Sequence, residues 1–250
     1  MKWSCVMAIA GSWVIAGTAV AHAPSPVSVE IVDTHGQVFP KFPVKAGDGA
    51  LRSYLQAEQG ARYQVRVRNT TGERLGLVIA VDGRNIINGS KSDLGRSEPM
   101  YVLDAYATAD YAGWRASLDA INEFYFTDWS DSYASAFGDR SARGVIAVAV
   151  YGEVAPPRPV RKSYSSRERS ADAASAPAAE RSAGTGYGDR RMDPAVEVEF
   201  VARSGANSRH FIKYEWRETL CRKKVLECGE NNRFWDESTL GFAPPPPRRR

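Results

Sequence analysis

Short apolar stretches alternate with polar turns along this chain, and the pattern predicts β-strands. In RYQVRVRN, Tyr63, Val65 and Val67 share one face and polar side chains share the other, as in a strand between a core and water. LGLVIAV and RGVIAVAVYG are continuously apolar and rich in β-branched residues, which predicts central strands covered on both faces. VSVEIVD, MYVLD and AINEFYFT predict further short strands.

One segment has a different pattern. SDSYASAFGD predicts a single short helix, with Ser130 or Asp131 as its N-cap and Gly138 as its terminator. Many strands, little helix and no alternation of strands with helices predict an all-β fold. We expect an antiparallel β-sandwich of jelly-roll or immunoglobulin-like type, with a closed barrel as the nearest alternative.

The composition changes after the predicted sandwich domain, residues 27–153. Residues 154–194 are rich in Pro, Ser, Ala and Arg and lack apolar periodicity. They predict a long disordered linker, because they offer too little apolar surface to offset the entropy of ordering. Residues 243–250, rich in Pro and Arg, predict a disordered tail.

Strand patterns return between the linker and the tail. AVEVEFVA places Val196, Val198 and Phe200 on one face, and HFIKYEWRE alternates in the same way around Tyr214. Two strands and a cysteine loop cannot bury a core alone. We therefore expect residues 195–242 to dock on the sandwich.

The first residues predict export. Lys2 precedes VMAIAGSWVIAGTAVA, an apolar run too short and too rich in small residues to span a bilayer. Residues 1–21 therefore predict a secretory signal peptide, cleaved after Ala21, that directs the protein to the periplasm or cell surface. An uncleaved anchor is the alternative. No other stretch is long and apolar enough to form a transmembrane span.

Cleavage would remove Cys5 and leave Cys221 and Cys228 as an isolated pair in an oxidising compartment. Such a pair predicts a disulfide. A zinc site is the competing interpretation, but its other ligands would have to be His35, His210 or carboxylates, with no recognisable spacing.

The charge balance argues against nucleic-acid binding. Without Lys2, 32 basic residues face 29 acidic ones, a net charge of +3, which is too small for a nucleic-acid footprint. The basic runs RPVRKSYSSRERS and RRR predict solvated segments that could rest against anionic lipid or polyanionic cell-wall polymer.

VIAVDGRNIINGS raises the question of a ligand loop. The Asp-Gly pair at positions 82 and 83 predicts a two-residue type I′ turn, because both central positions need positive φ. A calcium loop would need oxygen ligands where Arg84 and Ile86 stand. We expect Asn85 and Asn88 to form hydrogen bonds across the loop.

The strongest candidate for a binding surface is YVLDAYATADYAGWR. Its candidate residues are Tyr101, Tyr106, Tyr111, Trp114 and Arg115. Aromatic rings stack on the apolar faces of sugars and peptides, and arginine adds donors and cation–π attraction. The segment predicts contact with a cell-envelope protein or polysaccharide. The alternative is that the rings fill the core.

Motifs for catalysis are missing: the chain has no G-x-S-x-G, no H-E-x-x-H and no P-loop. We assign no catalytic residue and no cofactor. The enzyme alternative is a carbohydrate-active hydrolase with two carboxylates in a pocket, or a copper oxidase with copper held by an amino-terminal His22. An adhesin or filament subunit is a third class, and it predicts an unpaired edge strand.

VIAVDGRNIINGS, YVLDAYATADYAGWR, AINEFYFT and GVIAVAVYGE follow one another in a recognisable order. The succession resembles uncharacterised exported bacterial proteins with a V-D-G-x-N … Y-V-L … G-W-R … F-x-F … G-V-I-x-V-A-V pattern, over residues 27–153 and more loosely in FIKYEWRETLC. The resemblance implies an exported β-rich protein without a known activity. The sequence thus predicts a non-enzymatic binding or structural component of the periplasm or cell surface.

Overall fold

The computed structural model describes residues 25–154 and 182–228. The predicted signal peptide, residues 155–181 of the predicted linker and the predicted tail lie outside the described residues. The described part of the chain is almost entirely strands and loops, with two short helices. The prediction of an all-β fold is confirmed.

The structure contains β1 (Val27–Asp33), β2 (Lys41–Val44), β3 (Leu51–Ala57), β4 (Tyr63–Asn69), β5 (Leu75–Val81), β6 (Arg84–Asn85), β7 (Tyr101–Leu103), β8 (Thr108–Tyr111), β9 (Gly113–Ser117), β10 (Ala120–Glu123), β11 (Phe126–Asp128), β12 (Val145–Gly152), β13 (Ala183–Thr185), β14 (Arg190–Met192) and β15 (Ser208–Trp216). The helices are α1 (Tyr133–Ala136) and α2 (Arg217–Arg222), and a 3₁₀ turn spans Trp129–Asp131.

A seven-stranded sheet in the order β2-β3-β15-β12-β5-β6, with β7 also paired to β5, forms one layer. A three-stranded sheet, β1-β4-β8, contributes side chains to the same core. Smaller sheets, β14-β10-β9 and β11-β13, complete the fold. Within the described residues the paired strands are antiparallel, as predicted, except β3 and β15, which run parallel.

The two central strands are covered on both faces, as their continuous apolar pattern predicts. On the inner face, Leu77 and Ile79 of β5 meet Val65 and Val67 of β4 in the main core. On the outer face, Val78 and Ala80 of β5 belong with Ala147 and Ala149 of β12 to a smaller apolar cluster. The small side chains of this second cluster leave a cavity on the outer face of the sheet.

The C-terminal part is not a separate piece docked on a finished sandwich. Strand β15 lies between β3 and β12 in the large sheet, and its Ile212 and Tyr214 are buried in the main core. The alternation in HFIKYEWRE therefore correctly predicts a strand, but the sandwich domain is not complete without it.

The predicted boundaries of the linker are also wrong. Residues 182–194 contain β13, which pairs with β11, and β14, which pairs with β10. The side chain of Ala183 is buried in the main core. Ala-Gly-Thr is too short to show a period, so nothing in its pattern distinguishes this strand from a loop.

AVEVEFVA forms no strand. Val196 is 83% exposed and Val198 52% exposed, and Ala195 donates its backbone N–H to Leu118 O in a loop. Only the end of the segment pairs: Ala202 forms an antiparallel bridge with Glu153, and Val154 N donates to Val201 O at 2.7 Å. The alternating pattern therefore predicts a strand, but most of the segment has no paired neighbour.

The predicted helix is present, but its N-cap is Ser132, whose Oγ accepts a hydrogen bond from Ser135 N at 3.2 Å. Gly138, with φ of +68°, follows the end of α1 as predicted. Helix α2 was not predicted. Cys221 in α2 and Cys228 form the predicted disulfide, with 5.4 Å between their Cα atoms.

Candidate ligand-binding sites

Trp114 of the predicted aromatic surface is a core residue. Its side chain is 2% exposed, and its ring packs edge-on against Phe124 at 5.3 Å and tilted against Tyr133 at 4.4 Å between centroids. Its Nε1 donates a hydrogen bond to Gly186 O at 3.1 Å. Its position agrees with the alternative prediction from the sequence, in which this indole fills the core.

Three of the other candidate residues lie together. The rings of Tyr101 and Tyr111 are 4.5 Å apart between centroids, and Arg115 Nε donates to Tyr101 Oη at 3.1 Å. Arg115 Nη2 also pairs with Asp193 Oδ1 at 3.3 Å. Burial raises the pKa of Tyr101 and of Tyr111. The guanidinium is therefore engaged within the protein.

Tyr106 stands apart from the other four candidates. Its ring is 71% exposed, on the loop between β7 and β8. The structure therefore does not assemble the five predicted residues into one platform: one is in the core, three form an internal cluster and one is at the surface.

The Asp-Gly turn is present, but the turn does not explain why the carboxylate of Asp82 is buried. Asp82 and Gly83 have φ of +50° and +82°, and Val81 pairs with Arg84 as a two-residue turn requires. The Asp82 side chain, however, is 0% exposed. Its position inside the protein is not visible in the sequence, because the turn alone already explains an aspartate there.

Asp82 accepts three hydrogen bonds from distant parts of the chain. Its Oδ1 accepts from Tyr214 Oη at 2.6 Å and from Gly144 N at 2.7 Å. Its Oδ2 accepts from Thr185 N at 2.8 Å. Burial raises the pKa of Asp82 to about 6, although these donors and the charge of Lys213 oppose the shift.

The network continues into the core through Thr185. The hydroxyl Oγ1 of Thr185 lies 2.7 Å from Tyr214 Oη and 2.8 Å from Tyr63 Oη. This chain of buried polar groups joins β4, β13 and β15 to the β5–β6 turn. Because every member has a partner, we assign it a structural role.

The two asparagines of the opening loop bind their own loop, as expected. Asn85 Nδ2 donates to Glu98 Oε2 at 3.2 Å and to Pro99 O at 2.9 Å. Asn88 Oδ1 accepts from Ser90 N at 3.0 Å. These hydrogen bonds engage both side chains within the loop and give no indication of a ligand.

The histidines differ in their surroundings. His22, the proposed copper ligand, lies outside the described residues, and His35 is exposed. His210 is buried, with its Nε2 3.0 Å from Ser25 Oγ and 3.4 Å from Ser208 Oγ. Within residues 25–154 and 182–228, no three His, Cys, Asp or Glu side chains are grouped to hold a metal ion.

His210 makes stability depend on pH. Burial, with the nearby charge of Lys41, lowers the pKa of His210 to about 4, so the unfolded chain binds a proton there before the folded protein does. This contribution to the free energy of unfolding is expected to fall as pH drops from about 6.5 towards 4. Urea unfolding of the wild type and His210→Gln at pH 7 and pH 4.5 measures it.

The variant should lose less stability than the wild type over this range, because glutamine does not titrate. His35→Gln, which alters an exposed histidine, is the control and should behave as the wild type. Equal pH dependence of the wild type and His210→Gln would contradict the assignment.

A crevice of about 1020 Å³ opens at one end of the large sheet. The parallel strands β3 and β15 both end there, and their chains diverge, one into the turn that leads to β4 and the other into α2. The residues that line it are Gln56, Ala57, Glu58, Gln59, Asp128, Trp216, Arg217, Glu218, Thr219 and Arg222.

Several contacts hold the walls of this end crevice. Arg217 Nη1 donates to Gln56 Oε1 at 3.2 Å across it, and Arg222 Nη2 donates to Thr219 Oγ1 at 3.3 Å. Leu220, on the opposite side of α2, is fully buried. The disulfide further ties down the chain that follows α2.

The chain matches no family model, no curated protein and no solved structure. The class that fold and site define is an all-β protein with a disulfide beside an open polar crevice. The resemblance to exported bacterial proteins stays a prediction. No helix in the described part of the chain is long and apolar enough to cross a membrane.

Proposed function

We propose that this protein is exported to the periplasm or cell surface and acts there as a non-enzymatic binding protein for a neutral glycan, held in the end crevice. The observation that carries the proposal is the indole of Trp216, which packs against the main core but is only partly buried and lines a crevice with planar polar side chains. An indole offers an apolar face to a sugar ring and can be ordered at little entropic cost.

The polar residues of the crevice suit neighbouring hydroxyl groups. Gln56 and Gln59 provide amides that both donate and accept, while Asp128 adds a carboxylate acceptor and Arg217 a guanidinium donor. Planar groups of this kind can bind two adjacent hydroxyls at once. The contact between Arg217 and Gln56 holds two of these groups in place before a ligand binds.

The charge of the crevice favours a neutral ligand. Its lining residues include three carboxylates and two guanidiniums, which leaves one net negative charge. A site for a polyanion would carry an excess of Lys and Arg. The volume lies at the upper end of the usual range for small-molecule pockets, about 300–1,000 Å³, which leaves room for more than one sugar ring.

Hydrolysis is the second candidate, because Glu58, Asp128 and Glu218 place three carboxylates in one crevice. Glu58 and Glu218 are exposed, however, whereas the acid of a glycosidase stands in partly apolar surroundings. We therefore propose binding without cleavage. Release of reducing ends from the oligosaccharides named below would instead support the enzyme.

Isothermal titration with cellohexaose, hexa-N-acetylchitohexaose and heparin tests the proposal. We expect at least one neutral hexasaccharide to bind and heparin not to bind. Trp216→Ala should weaken that binding at least tenfold, a loss of about 1.4 kcal/mol, because the stacking face is gone. Trp216→Phe should retain part of it.

Tyr106→Ala is the matched control, since it removes an exposed ring from the segment that the sequence favoured. It should leave the affinity unchanged. Thermal unfolding of each variant shows whether the fold is intact. Binding that survives Trp216→Ala in the folded protein, or binding of heparin alone, would contradict the proposal.

A further inference from the structure

The outer face of the seven-stranded sheet carries a second cavity, of about 640 Å³. Its floor is one row across the sheet: Phe211 of β15 pairs with Ala147 of β12, which pairs with Ala80 of β5. Two methyl side chains therefore stand on the central strands where larger apolar residues would fill the space. Larger residues at these positions would bury more apolar surface. The cavity therefore does not contribute to the stability of the fold.

Loops from separate parts of the chain form the rim of this outer-face cavity. They contribute Asp48, Ser92, Asp93, Ser141, Asn207 and Ser208. The rim thus presents hydroxyls, an amide and carboxylates above an apolar floor, which is the usual composition of a small-molecule site.

The rim is held in shape by internal hydrogen bonds. Tyr151 Oη donates to Leu94 O at 2.6 Å, below the loop that carries Asp93. Glu98 Oε1 accepts from Gly95 N at 2.7 Å in the same loop. On the other side, Gly152 N donates to Asn207 Oδ1 at 3.1 Å. A site held in this way needs little ordering when a ligand binds.

The charged residues of the rim fall into two groups. Arg52 is neutralised by Asp48, which accepts from its Nη1 at 2.5 Å and its Nη2 at 2.8 Å. Arg209 and Asp93 also line the cavity, and neither forms an ion pair with another residue of the described ranges. One cation and one anion are therefore left to face a ligand.

We propose that the outer-face cavity binds a short zwitterionic peptide with apolar side chains. The ligand carboxylate pairs with Arg209, the ligand ammonium pairs with Asp93, and an apolar side chain packs on Ala80 and Ala147. The Phe211 ring lies beside this side chain, with Arg52 5.2 Å above its centroid. A simple anion would leave Asp93 unmatched, and an uncharged apolar ligand would use neither charge. This site is independent of the end crevice and of glycan binding.

The probe is the dipeptide Leu-Phe, titrated calorimetrically into the purified protein, with N-acetyl-Leu-Phe-amide as its uncharged counterpart. We expect Leu-Phe to bind and the blocked peptide to bind at least tenfold more weakly. Arg209→Gln should also weaken binding of Leu-Phe at least tenfold. Ala147→Leu, which places a larger side chain on the floor where the apolar side chain of the ligand packs, should also weaken it at least tenfold.

Arg68→Gln, an exposed charge change on β4 of the other sheet, is the control and should not alter binding. Trp216→Ala should not alter it either, because the two sites are separate. If Ala147→Leu fails to fold, Arg209→Gln and the blocked peptide still decide the question. Failure of Leu-Phe to bind, equal binding of the blocked peptide, or full binding by Arg209→Gln would overturn the proposal.

Discussion

Replacing Asp82 with asparagine is expected to lower the free energy of unfolding by about 3 kcal/mol. The asparagine amide would place N–H donors against Thr185 N or against Tyr214 and Gly144, all of which now donate to the carboxylate. Buried donors without acceptors cost about 1–3 kcal/mol each. Urea unfolding at pH 7 measures the loss.

The substitution tests the buried hydrogen-bond network without changing the turn. Asparagine suits positive φ in a type I′ turn as well as aspartate does, so the backbone preference is kept. Asp93→Asn, on an exposed loop residue, is the matched control and should change stability by less than about 0.5 kcal/mol. A loss below about 1 kcal/mol for Asp82→Asn would show that the network is not structurally important.

The same variant has a predicted pH dependence. Because the folded pKa of Asp82 is raised to about 6, this group binds a proton in the folded protein before it does in the unfolded chain. The contribution of Asp82 to the free energy of unfolding therefore rises as pH falls towards 4. Asparagine cannot provide this increase. The difference in the free energy of unfolding between the wild type and Asp82→Asn should therefore be larger at pH 4.5 than at pH 7. The contribution of His210 is the same in both proteins and does not affect this difference.

Replacing Trp114 with alanine is expected to cost about 3–5 kcal/mol of stability. The substitution removes a ring packed against Phe124 and Tyr133 and leaves Gly186 O without its donor. Thermal and urea unfolding should both shift strongly. Tyr106→Ala, at an exposed ring of the same segment, should change stability by no more than about 1 kcal/mol.

This prediction separates the two interpretations of the aromatic segment. If Trp114 were part of a surface platform, Trp114→Ala would fold with nearly wild-type stability and lose affinity for a ligand. The structure predicts the opposite, a general loss of stability. Unfolding of Trp114→Ala at the wild-type midpoint would contradict its position in the core.

The strands that are easiest to predict are those whose pattern is set by burial. β4 alternates because one face meets the core, and β5 is continuously apolar because both faces are covered. The Asp-Gly turn and the disulfide can also be predicted from the sequence, because the turn depends on neighbouring residues and the disulfide closes a short loop. Local chemistry was sufficient for all of these.

Features that depend on distant partners could not be predicted in the same way. β13 is a strand because β11 offers it an edge, whereas AVEVEFVA has the better pattern but pairs only at its end, through the bridge between Ala202 and Glu153. Trp114 and Tyr106 belong to one aromatic stretch, but only packing decides which ring is buried. The end crevice combines residues 56–59, Asp128 and residues 216–222, and no spacing in the chain reveals that they meet.

We propose that the end crevice, and not the aromatic segment, contacts a glycan. The most direct test is the two-dimensional ¹H–¹⁵N NMR spectrum of the protein during titration with the hexasaccharide that binds in calorimetry. We expect shifts of the Trp216 indole and of amides in residues 56–59 and 217–222. Shifts confined to residues 101–115, or no shifts around Trp216, would contradict it.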